Sequence, residues 1–172
     1  MTEDRRQSVS TPARTRRQQH AMNTAVRILT GRDHSKYELK QKLKQRGIEN
    51  DIIGAVIADC ERLNYVNDER TARLYISQLN RKCFGKRYIA MALKKKGLRG
   101  ALIENVLLQK CSEAGERKKA ARLLEKKLKT ADQKKGFIKK RDHIYRVLYA
   151  RGFSKDVITD LIRDQFAGQQ TR

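Results

Sequence analysis

Tryptophan is absent from the 172 residues, aromatic side chains make up 6%, and proline occurs once, at Pro12. Apolar residues reach only 38%, so the hydrophobic positions must lie along narrow stripes, which suits small stacked helical units better than one deep core. No stretch is long and apolar enough for a signal peptide or a membrane span, so a cytoplasmic protein with no membrane partner is expected. Cys60, Cys83 and Cys111 are odd in number, widely spaced and free of any CxxC pair. They suggest neither a disulfide framework nor a zinc site and read as buried free thiols. Acidic residues are also scarce: 19 Asp and Glu stand against 41 Lys and Arg, leaving a formal charge of +22. That excess repels itself in the folded state, and the usual offset is a polyanionic partner, most often nucleic acid.

Catalytic patterns are missing too. There is no GxxxxGK phosphate loop, no GxSxG elbow and no HExxH pair. Asp33, His34 and Ser35 include the residue types of a hydrolase triad, but three consecutive side chains cannot converge as that mechanism needs. Ser35 is better explained as a helix cap, Asp142 and His143 as residues lining a helix, and His20 as the edge of an N-terminal arm. The expectation is a protein that is not an enzyme and uses no metal or cofactor.

What is present is a pattern written three times. Leu39, Leu43, Arg46, Gly47, Ile48, Ile52, Ile53, Val56 and Ile57 recur in register as Ile89, Leu93, Lys96, Gly97, Leu98, Leu102, Ile103, Val106 and Leu107. They recur again as Ile144, Leu148, Arg151, Gly152, Phe153, Val157, Ile158, Leu161 and Ile162. This is the signature of a repeat protein, whose function is read from repeated surfaces.

Each copy reads as helix, helix, glycine turn, helix. Met22, Ala25, Val26 and Leu29 follow helical spacing, and Ala72, Tyr75, Ile76 and Leu79 lie at the same distance from Gly97. Ser35 with Glu38 forms a capping-box pattern ahead of a second helix over 36–46; Gly47 closes it, and a third helix follows over about 49–63. Asp68 is placed as the N-cap opening the second copy and Ser154 as the cap of the last helix. In the third copy Ala121, Leu124 and Leu128 match only if residues 130–136 are an insertion. The expected organisation is a disordered basic arm over 1–18, repeats over 19–66, 67–113 and 114–168, and a tail over 169–172. The expected fold is all-α, with nine helices and no strand.

The charge is unevenly divided. The second helices, 36–46, 86–96 and 137–151, each carry five basic residues against one, none and one acidic, and together hold thirteen of the net positive charges. The third helices carry acidic residues instead: Glu49, Asp51, Asp59 and Glu61, then Glu104, then Asp156, Asp160 and Asp164. In a helix-turn-helix the later helix enters the major groove, so these carboxylates would face phosphates with the wrong sign. A transcription factor therefore ranks below a basic stripe on the second helices, where Arg87 and Lys94 share the face opposite Ile89, Ala92 and Leu93. The candidate partner- or DNA-binding residues are Lys36, Lys40, Lys44, Arg81, Lys82, Lys86, Arg87, Lys94, Lys95, Lys118, Lys119, Lys139, Lys140, Arg141 and Arg146. Lys126, Lys127, Lys134 and Lys135 extend the stripe between the second and third copies.

A family likeness rests on three stretches: Arg32, Ser35, Glu38, Leu39, Leu43, Gly47 and Ile48; Tyr65, Val66, Asp68, Glu69, Arg70, Ala72, Tyr75 and Ile76; and Lys82, Phe84, Gly85, Ile89, Leu93, Lys96, Gly97 and Leu98. Over about residues 20 to 166 the chain resembles the bacterial RecX regulatory proteins. It departs from them at Asn64 and Cys83, where glycine is common, at Thr71, where an aromatic is usual, and at Lys86, where proline is frequent. These departures are expected to alter turn geometry and, at Thr71, one packing position. The resemblance implies three tandem three-helix repeats in an elongated, curved array and a modulator of RecA. Such a protein binds RecA and its filament on DNA along the groove and blocks extension, ATP hydrolysis and strand exchange, in homologous recombination and DNA repair. A monomer with weak non-specific DNA affinity is expected. The alternatives are a non-specific nucleic-acid-binding protein and a helix-turn-helix transcription factor.

Overall fold

A computed structural model of the chain describes residues 11–130 and 137–167. Among these lie nine α-helices and no strand: α1 Thr11–Gly31, α2 Lys36–Lys44, α3 Asn50–Arg62, α4 Asp68–Arg81, α5 Lys86–Lys95, α6 Ala101–Lys110, α7 Glu113–Thr130, α8 Phe137–Ala150 and α9 Lys155–Phe166. The chain divides into two compact units, one ending at Thr71 and the other beginning at Ala72, within the first turn of α4. Residues 1–10, 131–136 and 168–172 lie outside the described residues, and with them most of the arm, most of the insertion, the tail, Lys134 and Lys135.

Glycine, or a residue forced to imitate it, ends five of the helices. Gly47, Gly97 and Gly152 have φ of 75°, 73° and 82°. In each copy the glycine N–H donates three residues back, and the next N–H reaches five back: Ile48 to Leu43 at 3.3 Å, Leu98 to Leu93 at 3.0 Å, Phe153 to Leu148 at 3.3 Å. This pair of hydrogen bonds satisfies carbonyls that the end of a helix leaves free. The same pattern ends α3 and α4, where Tyr65 donates to Cys60 and Phe84 to Leu79. There the left-handed residues are Asn64 and Cys83, each at φ 55°. The expected change of turn geometry at these two positions does not occur; the side chains take the glycine conformation instead.

Three apolar clusters form, one in each helix trio. Leu39, Leu43, Ile53 and Val56 are fully enclosed with Ala21 and Ala25 in the first; Ile76, Ile89, Leu93 and Leu98 anchor the second; Ile144, Leu148, Phe153 and Ile158 anchor the third. In α7 the expected Ala121, Leu124 and Leu128 all face the cluster, Leu124 buried and the other two partly so, and Ala120 and Leu123 are buried beside them.

Three further expectations are corrected. α1 begins at Thr11, inside the arm expected to be disordered through residue 18. Pro12 falls in the first turn, where no intrahelical N–H bond is lost. Arg17 meets Glu49 at 2.9 Å and Arg14 meets Asp51 at 3.8 Å, tying the start of α1 to the start of α3. The N-cap of α4 is Asn67, whose side-chain oxygen accepts from the Arg70 N–H at 2.9 Å. Asp68, expected in that role, is the first helical residue, and its carboxylate accepts the Lys36 N–H at 2.8 Å, helping to cap α2. Finally, Leu102 sits in the thrice-repeated core pattern but is 57% exposed, whereas its counterparts Ile52 and Val157 are 5% and 6% exposed.

The capping box of α2 is present as read, Ser35 accepting from the Glu38 N–H while the Glu38 carboxylate accepts from the Ser35 N–H. Ser154 caps α9 through the Val157 N–H.

Candidate partner-binding surface

The sequence places fifteen cations on the candidate surface, and the structure sorts them by what each side chain touches. Lys40 and Lys44 on α2, Arg81 and Lys82 at the end of α4, Lys94 and Lys95 on α5, Lys118 on α7 and Lys139 on α8 are exposed. Lys86 and Lys140 are half-buried; Arg141 and Arg146 are exposed but turn toward Asp142, Arg141 Nε at 3.9 Å from its carboxylate and Arg146 Nε at 3.4 Å from its carbonyl.

Three of the fifteen hold the fold together. Lys36 Nζ meets the Glu61 carboxylate at 2.9 Å, and this hydrogen bond raises the lysine pKa above its ordinary value. Lys119 is half-buried and donates to Asn80 Oδ1 at 2.6 Å and to the Phe84 carbonyl at 3.1 Å, tying α7 to the end of α4. Arg87, expected at the centre of the partner face, lies flat over the Tyr149 ring at 3.8 Å and donates to the Tyr149 carbonyl at 2.5 Å. A guanidinium combines ring stacking with fixed donors in this way, and its charge is no longer displayed freely. Arg87 is exposed while it makes these contacts, so it lies on the surface as part of the α5–α8 junction.

Arg87 belongs to a tight junction between α5 and the end of α8. The Gly85 N–H donates to the Arg151 carbonyl at 2.9 Å and the Arg87 N–H to the Gly152 carbonyl at 3.2 Å. Such backbone proximity leaves no room for a side chain: a Cβ on Gly152 would lie within 3.0 Å of Tyr88 backbone atoms, and one on Gly85 would overlap the Gly152 carbonyl. Arg151 closes the other side, its guanidinium 4.8 Å over the Phe84 ring and bonded to the Lys82 carbonyl at 3.1 Å. Phe84 stacks on Tyr88 with centroids 4.0 Å apart.

Acidic residues of α3 and α9 are paired with cations of their own trios. Glu49, Asp51 and Glu61 pair with Arg17, Arg14 and Lys36, while Arg117 of α7 reaches Asp164 at 2.7 Å and Asp160 at 3.9 Å on α9. The charge asymmetry between second and third helices thus partly reflects how first helices are held on third ones.

Each trio also carries a groove, with a basic rim in the first and a rim of mixed charge in the other two, where Glu104 and Asp142 join the cations. In the first, of about 470 Å³, His20, Arg27, Lys42 and Arg46 surround Thr24, Ile28 and Ile48. In the second, of about 360 Å³, Lys94 and Arg99 border Leu93, Leu98, Ile103 and Leu107. In the third, of about 500 Å³, Arg141 and Arg163 flank Tyr145, Ile162 and Phe166. His20, Arg27, Lys42, Arg46, Arg99 and Arg163 were not among the fifteen. Lys42 on α2 and Arg46 in the turn that follows it are four residues apart, a spacing visible in the sequence, but their partners Arg27 and His20 come from α1 and meet them only through packing. Among the described residues no cluster of His, Cys, Asp or Glu could hold a metal, and no helix is long and apolar enough to cross a membrane.

Residues 21–60 match the family model for the first three-helix domain of RecX, and residues 67–107 match that for the second. The regulatory protein RecX of Legionella pneumophila is 34% identical over 145 residues, spanning 84% of this chain and 93% of that protein. The chain belongs to the RecX family. The RecX of Vibrio parahaemolyticus is 35% identical over 136 residues, covering 78% of this chain and 84% of the relative. The fold is shared with the crystal structure of RecX from Lactobacillus salivarius, at a TM-score of 0.76 and 24% identity over 87% of this chain and 97% of that one. A second crystal structure of a regulatory protein RecX gives a TM-score of 0.82 at 18% identity, covering 95% and 81%. The two RecX domain matches fall on the first two helix trios, so the glycine-closed turns at Gly47 and Gly97 lie inside RecX domains.

Proposed function

We propose that this RecX protein regulates RecA, mainly as an inhibitor, by binding the RecA–DNA filament along its groove and blocking extension, ATP hydrolysis and strand exchange. Membership of a family of regulatory proteins carries the reading. The exposed lysines of the second helices support it, because a protein–DNA filament is a polyanion and several weak basic patches gain avidity together. Lys40, Lys44, Lys94 and Lys95 replace Arg87 as the side chains through which that attraction acts.

The test is the single-stranded-DNA-dependent ATPase of RecA with and without the protein. Wild type is expected to inhibit, and the variant K40E/K44E/K94E/K95E to need about tenfold more protein, with a shallower salt dependence. No inhibition by wild type at any ratio overturns the proposal. Salt-sensitive binding to naked DNA with no effect on the ATPase favours a non-specific nucleic-acid-binding protein, the reading to which the net charge of +22 alone points.

A further inference from the structure

The first helix trio carries a cluster of cations that packing does not require. His20 and Arg27 of α1 meet Lys42 and Arg46 across a groove that also holds Thr24, Ile28 and Ile48, and no carboxylate lines it. Arg46 is steadied there by its bond to the Lys42 carbonyl at 3.0 Å. Among the described residues no carboxylate lies within ion-pair distance of Arg27, Lys42 or Arg46. A neighbouring groove of about 310 Å³ shares His20, Arg46 and Ile48 with the first and adds Arg16; its one carboxylate, Glu49, is bound by Arg17 at 2.9 Å. The two grooves make one trough along α1, and the helix between Arg16 and Arg27 is about 16 Å long.

The other two copies of the repeat show that the fold does without these charges. In place of Lys42 they have Ala92 and Val147, and in place of Arg27 the second copy has Ser77. In place of Arg46 they keep a cation but use it internally. Lys96 lies over the Tyr75 ring at 4.8 Å, and Arg151 lies over the Phe84 ring at 4.8 Å while donating to the Lys82 carbonyl. Gathering unpaired cations in the first copy alone costs repulsion, and a bound polyanion offsets it.

We propose that this trough binds the phosphates of a single-stranded nucleic acid. Arg27 and Arg46 carry planar forks suited to paired phosphate oxygens, and Lys42 adds a point charge. A strand repeats its negative charge at every nucleotide, which matches cations set out along a helix better than one free nucleotide or the irregular carboxylates of an acidic protein do. Ile28 and Ile48 offer an apolar floor to sugars and unstacked bases, which a duplex keeps turned inward. By helical spacing Lys40 and Lys44 lie on the opposite side of α2 from Lys42, so the trough is distinct from the lysine surface assigned above to the RecA filament. It stands whether or not RecA is the partner.

The test is fluorescence anisotropy of a labelled oligothymidylate titrated with the full-length protein in the absence of RecA. R27S/K42A gives the first copy the residues of the second, and R122S/K110A removes the same charge from exposed positions on α7 and α6. R27S/K42A is expected to keep the wild-type melting temperature and to bind about tenfold more weakly, with a salt slope shallower by about 1.4, or about 0.7 for each lost phosphate contact. R27K/K42R and R122S/K110A are expected to bind within about twofold of wild type. Equal losses in R27S/K42A and R122S/K110A make the attraction a property of net charge and overturn the site. No binding by wild type overturns it too, while leaving RecA regulation untouched. Displacement of the oligonucleotide by pyrophosphate at equal phosphate concentration, or tighter binding of a duplex, overturns the single strand as occupant. Undiminished oligonucleotide binding by R27S/K42A with loss of RecA ATPase inhibition assigns the trough to an acidic protein surface and likewise overturns the proposal.

Discussion

Replacing Gly152 by alanine separates two costs that usually travel together. Gly47 and Gly152 share the left-handed conformation, at φ 75° and 82°, but a Cβ on Gly47 meets nothing within 4 Å, whereas one on Gly152 lands within 3.0 Å of the Tyr88 backbone N and Cα and side-chain Cβ. Gly47→Ala therefore suffers only the left-handed penalty, about 1–2 kcal/mol, partly offset by the stiffer unfolded chain. Gly152→Ala suffers the same penalty and also pushes α5 away from the end of α8. The overlap with backbone atoms adds roughly 1–3 kcal/mol. The bonds Gly85 N–H to Arg151 and Arg87 N–H to Gly152, at 2.9 and 3.2 Å, weaken with it, at about 0.5–1.5 kcal/mol each. For a chain of this size about 1 kcal/mol corresponds to roughly 2–4 °C in Tm. Thermal unfolding followed by circular dichroism is expected to show Gly47→Ala lowered by about 2–4 °C and Gly152→Ala by at least about 6 °C. Equal losses for the two variants refute the steric reasoning and reduce both glycines to turn formers.

Two other perturbations follow from the same geometry. Cys83→Gly relieves a left-handed side chain and is expected to raise stability by about 0.5–1 kcal/mol, read as a shift in the urea midpoint, while Asn64→Gly changes little because asparagine tolerates that conformation. His34 is 4% exposed, with Nδ1 2.8 Å from the Arg32 carbonyl, and burial lowers its pKa below the ordinary 6.5. In the window around and below 6.5 the unfolded chain takes up more protons than the folded one. Stability is therefore full above 6.5 and falls as the pH drops through it. Midpoints measured between pH 7.5 and 5.5 are expected to show this slope, and His34→Gln to flatten it; an equal slope in the variant removes His34 as its origin.

The local punctuation of the fold was readable because it depends on residues close in sequence. Ser35 with Glu38, Ser154, and the glycines at 47, 97 and 152 each act within one turn, and each takes the expected geometry. What escaped the sequence depends on what comes from elsewhere. Helical periodicity correctly put Arg87 opposite Ile89 and Leu93, yet Tyr149 arrives on that face from 62 residues away. The same periodicity put Leu102 in the core, where the structure leaves it 57% exposed. Asn67 and Asp68 are both good caps by residue type, and only the proximity of the Lys36 N–H divides the work between them. The grooves mix residues from two helices, so a count along either helix alone does not show them.

The junction between Gly85 and Gly152 also bears on the order in which the protein is made. The N–H that opens α5 bonds to Arg151, so during synthesis that group must stay with water until dozens of further residues have left the ribosome. The second helix trio therefore emerges unfinished. It makes its last backbone bonds only when the third has turned its corner.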